Sequence, residues 1–549
     1  MRKWLTIVVA GVICCACASS PAQRAVPAAP RVLLVGTWHG RVGGFTAIQA
    51  AVNAARPGDW ILIAPGDYHE SPDAQTGVLI RTPDIHLRGL ERNRVVVDGT
   101  RPGAPKPCDS DARWQNLGTA FGGNPSGRNG IVVEGVDGVS IDNLTVCNFV
   151  GHDRTGIQLF FDGGYTTDKI GLGAFEANHI TATSTSESAD RARLASWGIF
   201  VSNTRGPGTV TNSFASNMAD SAFHIGSCAD CNTVFDHDTA RHSVIGFTAI
   251  NAGGRLRVEH SLFTDNAAGI DLASEQDLSS PPPQDGRCPG EQSASRSTSP
   301  RSCTIVSNNR IVANNDPDVP GGANQGGTLK FIGAGIYVAG GRNDTITANK
   351  VTGQRSYGIV VVIYPWTGPP ATAAARCQGG QNLVPGQLCL FNAYGNLIAN
   401  NTLAGNGTFG NPTNGDLAEA TITHTPGNCF VDNHEANGHA VTVAPAALQK
   451  PASSCGTPSG GAIFGPLGVQ IACATRALGP CTNGNPRSAL GAIKALARAL
   501  HGNLDQLDDP NLATMKAAYP SSVRPTAPSP PAQSTISDPC AGVPGNPWC

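Results

Sequence analysis

The chain has 549 residues, with 66 Gly and 40 Pro, and only 14% of its residues are charged. That composition excludes a chain built of long helices and favours many short strands joined by tight turns. A formal net charge of −2 with no basic stripe excludes nucleic acid as a partner.

The chain opens on an export signal. Arg2 and Lys3 precede the apolar run 4–13, and Ala16-Cys17-Ala18 fits a small-residue cleavage site, so residues 1–18 read as a signal peptide. Cys17 followed by Ala-Ser-Ser also fits a lipoprotein acceptor, which leaves secretion and membrane anchoring by a lipid at Cys17 both open. Either places the protein outside the cytoplasm. No later stretch reaches the roughly 18 apolar residues of a membrane helix. Residues 19–30 form an Ala/Pro linker.

Residues 45–56 carry Ile48, Ala51, Val52 and Ala55 at helical spacing, and Pro57-Gly58-Asp59 ends that helix. Strands are predicted at 60–64, 78–80, 85–89 and 95–99. A Gly-apolar phrase then recurs, starting at Gly130, Gly156, Gly198, Ala222, Gly246, Gly269, Gly335 and Gly358. The intervals are 26, 42, 24, 24, 23, 66 and 23 residues, and the two long ones read as two and three coils with insertions. An Asn-rich phrase alternates with the first, and its Asn212, Asn308, Asn349 and Asn400 suit turns or a stacked internal ladder. Repetition at such a period predicts a β-solenoid with at least two strands per coil.

The segment FTAIQAAVNAARPGDWILIAPGDYHE at 45–70, followed by IHLRG and VVVDG, resembles the opening of the right-handed parallel β-helix, pectin-lyase-like superfamily. The resemblance implies an all-β solenoid over 31–445 with an N-terminal capping helix. Members include polysaccharide lyases, glycoside hydrolases, pectin methylesterases, uronan epimerases, phage tail spikes and noncatalytic surface proteins. The catalytic signatures of polygalacturonase-like hydrolases, pectin methylesterases and pectate lyases are absent, so no family residue set carries over. Residues 446–517 are expected to form a small helical or irregular cap, with a helix at 489–501, and 518–549 an extended Pro/Ser-rich tail.

Alternation in a strand assigns the repeat its faces. The residue after each Gly and the residue two further on are apolar and face the core. The column between them, Val132, Gln158, Phe200, His224, Thr248, Asp271, Tyr337 and Val360, faces out as a ladder. Insertions at 162–173, 274–303 and 364–389 are expected to wall it into a cleft for an extended polysaccharide. A hydrolase would use the paired carboxyls Asp220 and Asp271. A lyase would use His224 or Arg241 as the base, with Asp220, Asp271 or Asp265 holding Ca²⁺ through hard oxygen ligands. Arg154, Gln158, Phe200, Thr248 and Tyr337 would contact the glycan, and His242, Glu275 and Asp277 border the region. His237 with Asp238 is a second metal candidate, set against a plain turn.

Three of the 17 Cys sit in the leader, and the rest form an even set suited to an oxidising compartment. Close sequence pairs suggest Cys288 with Cys303, Cys377 with Cys389, Cys429 with Cys455, Cys473 with Cys481 and Cys540 with Cys549. Cys228 and Cys231 read as a structural disulfide rather than a redox or metal pair. The protein is expected to be a monomer. Three readings stay open: a lyase or hydrolase with Asp220, His224 and Asp271 clustered in a cleft; a noncatalytic glycan- or partner-binding surface protein with aromatics such as Phe200, Tyr337 and Trp366 spread on a shallow face; and a structural envelope protein with the face filled.

Overall fold

The computed structural model describes residues 29–119, 125–152, 154–164, 171–228, 230–275, 303–321, 332–366, 377, 379–384, 388–460, 463, 467–468 and 527–549. The signal peptide, most of the linker, Asp277, Cys288, Cys473, Cys481 and the helix expected at 489–501 lie outside them. Each coil sends one strand to an 11-stranded parallel sheet and up to two short strands to a second sheet that bends between them. Strand Ser221–Cys228, for instance, is followed by Thr233–Asp236 and Thr239–Arg241. The next coil repeats this as Ile245–Ala252, Leu256–Glu259 and Leu262–Thr264, parallel and in register. The chain is a right-handed parallel β-helix.

Both long intervals in the repeat are single coils, not two and three. Between Ile157–Asp162 and Trp197–Ser202 there is one intervening strand, Phe175–Thr183. Ala268–Ala273 pairs directly with Ala334–Ala339, and the described residues between them hold one pair of strands, Thr304–Ser307 and Arg310–Val312.

Two inward columns of the 11-stranded sheet fill the core. One runs Ile131, Leu159, Ile199, Phe223, Phe247, Ile270, Ile336, Ile359 and Leu417. Rings interleave across the solenoid, with Phe235 and Phe247 edge to face at 5.0 Å. The glycine that opens each phrase sits where coils approach most closely: a Cβ at Gly269 would lie 2.2 Å from the carbonyl oxygen of Gly335.

The bend in the second sheet needs one residue in the left-handed region. Asn212, Asn308 and Asn400 occupy it, with φ of 51°, 57° and 56°, as Asn tolerates best after Gly. The residue after each bend turns inward, and these form a continuous ladder: Ser213, Asp238, Ser261, Asn309, Asn349, Asn401, Asn433 and Gln449. Each backbone N–H donates to the side-chain oxygen of the next, at 2.8–3.1 Å. The Asn-Asn pairs at 308–309 and 400–401 thus encode two things, a corner and a rung. Asn349 is itself a rung.

The N-terminal end is closed by local means. Helix Ile48–Ala54 buries Ile48, Ala51 and Val52 over the first coil. The Glu70 carboxylate accepts from the Ile48 and Gln49 N–H groups at 2.6 and 3.1 Å, capping its start. The Gln49 side chain pairs with both backbone groups of Leu79, satisfying the outer edge of strand Thr76–Ile80. The C-terminal segment 527–549 is not a free tail but lies back along the second sheet. Asn217 donates to the Pro528 carbonyl at 2.7 Å and Arg88 to the Ala541 carbonyl at 2.8 Å, and Trp548 packs beside Leu62, Ala64 and Leu90. Disulfides join Cys228–Cys231, Cys377–Cys389, Cys429–Cys455 and Cys540–Cys549, together with Cys108–Cys147, a pair that sequence proximity does not suggest. Among the described residues no helix is long and apolar enough to cross a membrane.

Candidate functional site

The outward column of the 11-stranded sheet runs Leu79, Val132, Phe160, Phe200, His224, Thr248, Asp271, Tyr337 and Val360. Gln158 is not in it. Leu159, not Ile157, pairs with Ile199, which moves this strand by two residues and puts Phe160 in the column. Gln158 falls instead on the glycine position, fully buried, with its amide bonded to both backbone groups of Phe149 at 3.0 and 2.8 Å. It cannot reach a ligand.

The column changes character along its length. At the N-terminal end Leu79, Val132 and Phe160 floor a groove of ≈ 720 Å³, walled by Asp73, Arg81, Glu134, Arg154 and Asp162. Arg154 lines this groove, away from the Phe200–Asp271 stretch where the sequence reading centres the cleft. Aromatic rings continue the floor inward: Phe160 to Phe200 at 5.1 Å, Trp197 to Phe200 at 5.5 Å, and Phe200 to His224 edge to face at 4.2 Å. Phe200 and His224 each retain 7% exposure, which leaves them at the margin between groove and interior.

Beyond His224 the ladder is covered. Thr248, Asp271 and Tyr337 have no exposure at all, against the open floor that the alternation alone suggests. The reason is a second apolar cluster outside the sheet, in which Val319, Ile332, Tyr364, Leu390 and Phe391 pack with Tyr337 and Val360. Part of it comes from a three-stranded antiparallel insertion, Tyr364–Trp366, Gln381–Val384 and Leu388–Phe391.

A group of acids and hydroxyls lies under that cover. Ser221 donates to Asp220 at 2.8 Å and shares a hydrogen bond of 2.7 Å with Thr248. Burial pushes the Asp271 pKa well above the usual carboxylate range. The Glu275 carboxylate adds to this, the Tyr337 hydroxyl favours the charged form, and Asp220 raises it further. Neither Asp271 oxygen has a hydrogen bond of standard geometry, although the Tyr337 hydroxyl is near enough to act on it. Tyr337 and Tyr364 are both raised by burial and then by their acid neighbours, Asp271 for the first and Glu275 for the second. The environment thus favours the protonated form of Asp271, and Asp220 and Glu275 are near enough to bear on its charge; carboxylate oxygens of this kind are the donors a hard divalent ion takes.

Two predicted members of the site stand elsewhere. Arg241 ends strand Thr239–Arg241 of the second sheet, and Asp265 occupies a left-handed corner at φ 54° on the same side. They form an exposed ion pair at 3.1 Å, so neither a base near His224 nor a Ca²⁺ ligand there is available from them. They line a separate groove of ≈ 450 Å³ with His242, Asp316 and Pro528. A corner separates them from the ladder, and sequence proximity hides it. Asp238 is a buried rung of the internal ladder, turned away from His237. Tyr364 was not anticipated, since it enters from an insertion. Phe160 was missed because Ile157, Leu159, Phe160 and Phe161 are all apolar and permit two registers.

No protein-family model matches the chain, and no curated protein does. Among solved structures it is similar to the A-module of a mannuronan C-5 epimerase from Azotobacter vinelandii, at 12% identity over 71% of this chain and 92% of that one, TM-score 0.38. A mannuronic acid specific polysaccharide family 6 lyase from the human gut microbiota gives 12% over 73% and 80%, TM-score 0.40. DFA-IIIase from Arthrobacter chlorophenolicus A6 gives 13% over 77% and 98%, TM-score 0.40. At these identities no site residue transfers.

Proposed function

We propose that this chain is an extracytoplasmic protein that binds an extended polysaccharide along the ladder face and processes it by acid–base chemistry at the inner end of the groove. One observation carries the reading: a single column leads from an open groove floored by Leu79, Val132 and Phe160 to a buried stretch of His224, Asp271 and Tyr337, with Asp220 close by. Apolar rings suit sugar faces, and the wall, with Arg154 and an Arg81–Glu134 ion pair at 2.6 Å beside Asp73 and Asp162, offers polar groups to hydroxyls of an acidic or a neutral chain. A protonated Asp271 is equipped to donate to a departing glycosidic oxygen, and His224 to accept a proton, whether the bond breaks by elimination or by hydrolysis. Alternatively Asp220, Asp271 and Glu275 would hold a Ca²⁺ that neutralises a uronate carboxylate. The disulfides support an oxidising compartment.

A noncatalytic reading has its own support, the complete burial of Asp271 and Tyr337. There the groove binds and the acid group only packs. A panel of acidic and neutral glycans separates the two, assayed for unsaturated uronates by ultraviolet absorbance and for new reducing ends, with and without calcium. Products in either assay support processing. Binding without products in any condition leaves the noncatalytic reading.

A further inference from the structure

The left-handed corner of the second sheet is held in successive coils by Asn143, His179, Asn212, His237, His260, Asn308, Ala348, Asn400 and Asp432. Only at one place among these corners do two neighbouring coils both carry histidine. His237 and His260 hold the corner at φ 57° and 50°, and their rings stack at 5.2 Å between centroids. The fold does not ask for histidine here, because Asn serves in the flanking coils. Asp236, the residue before the first of them, lies between the two rings: its two carboxylate oxygens take His237 Nδ1 and His260 Nδ1, each at 2.8 Å. Partial burial opposes its charge, yet these two contacts hold Asp236 below the usual carboxylate range. The acid paired with it in the next coil, Glu259, is occupied by Arg257 at 2.7 Å.

These three side chains have the makings of a ligand set. Their donor atoms all lie within 4.8 Å of one another. A tetrahedral ion with bonds of about 2.0–2.1 Å needs its donors somewhat closer, and both histidine side chains are exposed, at 61% and 47%, so their rotamers can close that distance. Stacked corners about 4.8 Å apart fix the two imidazoles side by side before any ion arrives. Two imidazoles and a carboxylate favour zinc and its first-row neighbours over calcium, which prefers oxygen alone. Solvent on the open side supplies the remaining ligands.

We propose that Asp236, His237 and His260 form a surface site for a first-row divalent cation of the zinc type, separate from the ladder face. The corner's own pattern supplies the test variants: His237→Asn and His260→Asn restore the residue the neighbouring coils use, so the fold tolerates them. Zn²⁺ is titrated into the folded, oxidised protein against a chromophoric chelator, and Co²⁺ is followed by its visible absorption. Wild type should bind one ion with histidine-type Co²⁺ bands. His237→Asn, His260→Asn and Asp236→Asn should each weaken it roughly tenfold or more, while His179→Ala, at another corner, should leave it unchanged. No saturable Zn²⁺ binding by wild type overturns the proposal. So does wild-type affinity in the His237→Asn/His260→Asn double variant, because the ion would then be held elsewhere.

Discussion

The two ends of the outward column share one scaffold and differ in everything the scaffold does not dictate. At the open end, Leu79, Val132 and Phe160 face a groove; at the closed end, Thr248, Asp271 and Tyr337 lie under a second apolar cluster. Behind both, the inward column stays Ile, Leu or Phe from coil to coil. An outward residue never enters the core, so it can vary without cost to coil stacking. Burying an acid there does carry a cost of several kcal/mol if the acid is charged. A column position that accepts Val in one coil and Asp271 in another holds that acid for something other than stability.

The sharpest way to break this contrast is Asp271→Asn. If the closed end does acid–base chemistry, turnover should fall by roughly 10²–10⁴-fold, while the thermal midpoint holds or rises, because an amide needs no proton to sit in an apolar site. If the acid only packs, no activity is there to lose. The pH dependence of stability sharpens the same point. Asp271 has a folded pKa raised above its unfolded value. Its contribution to stability is therefore complete below the ordinary carboxylate range and is lost as pH rises through the raised value. Denaturation midpoints measured across that window should decline in wild type and decline less in Asp271→Asn. Parallel curves would mean the group is already neutralised, by a cation or otherwise.

The next effect concerns what both ends rest on. Asn349 takes the Asn309 N–H at 3.1 Å, donates to the Val306 carbonyl at 2.9 Å and gives its own N–H to Asn401. Asn349→Leu keeps its own backbone N–H on Asn401 but leaves the Asn309 N–H and the Val306 carbonyl buried without partners, a loss of about 2–3 kcal/mol. Chemical denaturation should show it as an earlier midpoint, with activity per folded molecule unchanged. A matching drop in specific activity would tie the ladder to the site.

What the sequence made legible follows from the same division. Inward columns repeat, so the solenoid, its capping helix and the outward placement of His224 and Asp271 can be read from alternation. Register is readable only where polar residues mark a face. Four apolar residues from Ile157 to Phe161 do not, and alternation alone puts Gln158 in the wrong column. Spacing does not tell an extra coil from an insertion, hence the miscounted intervals. Corners are the other blind spot: the left-handed residue at 237 turns Asp238 inward and leaves Asp236 beside the ring. The cover over Asp271 comes from loops distant in sequence, such as the one that brings Tyr364, and no local pattern announces it.

The smallest effect tests whether the two ends belong to one site. Phe160 lines the open groove and touches Phe200, which in turn meets His224. Phe160→Ala removes a sugar-facing ring and one ring–ring contact, worth about 1 kcal/mol or several-fold in affinity. The loss should fall on KM, with kcat for saturating glycan close to wild type, since the ring binds ground state and transition state alike. A fall in kcat of the same size would mean that the aromatic chain from Phe160 to His224 positions the reacting group as well as the glycan. No change in either, beside an inactive Asp271→Asn, would detach the groove from the chemistry and require another approach to the buried acids.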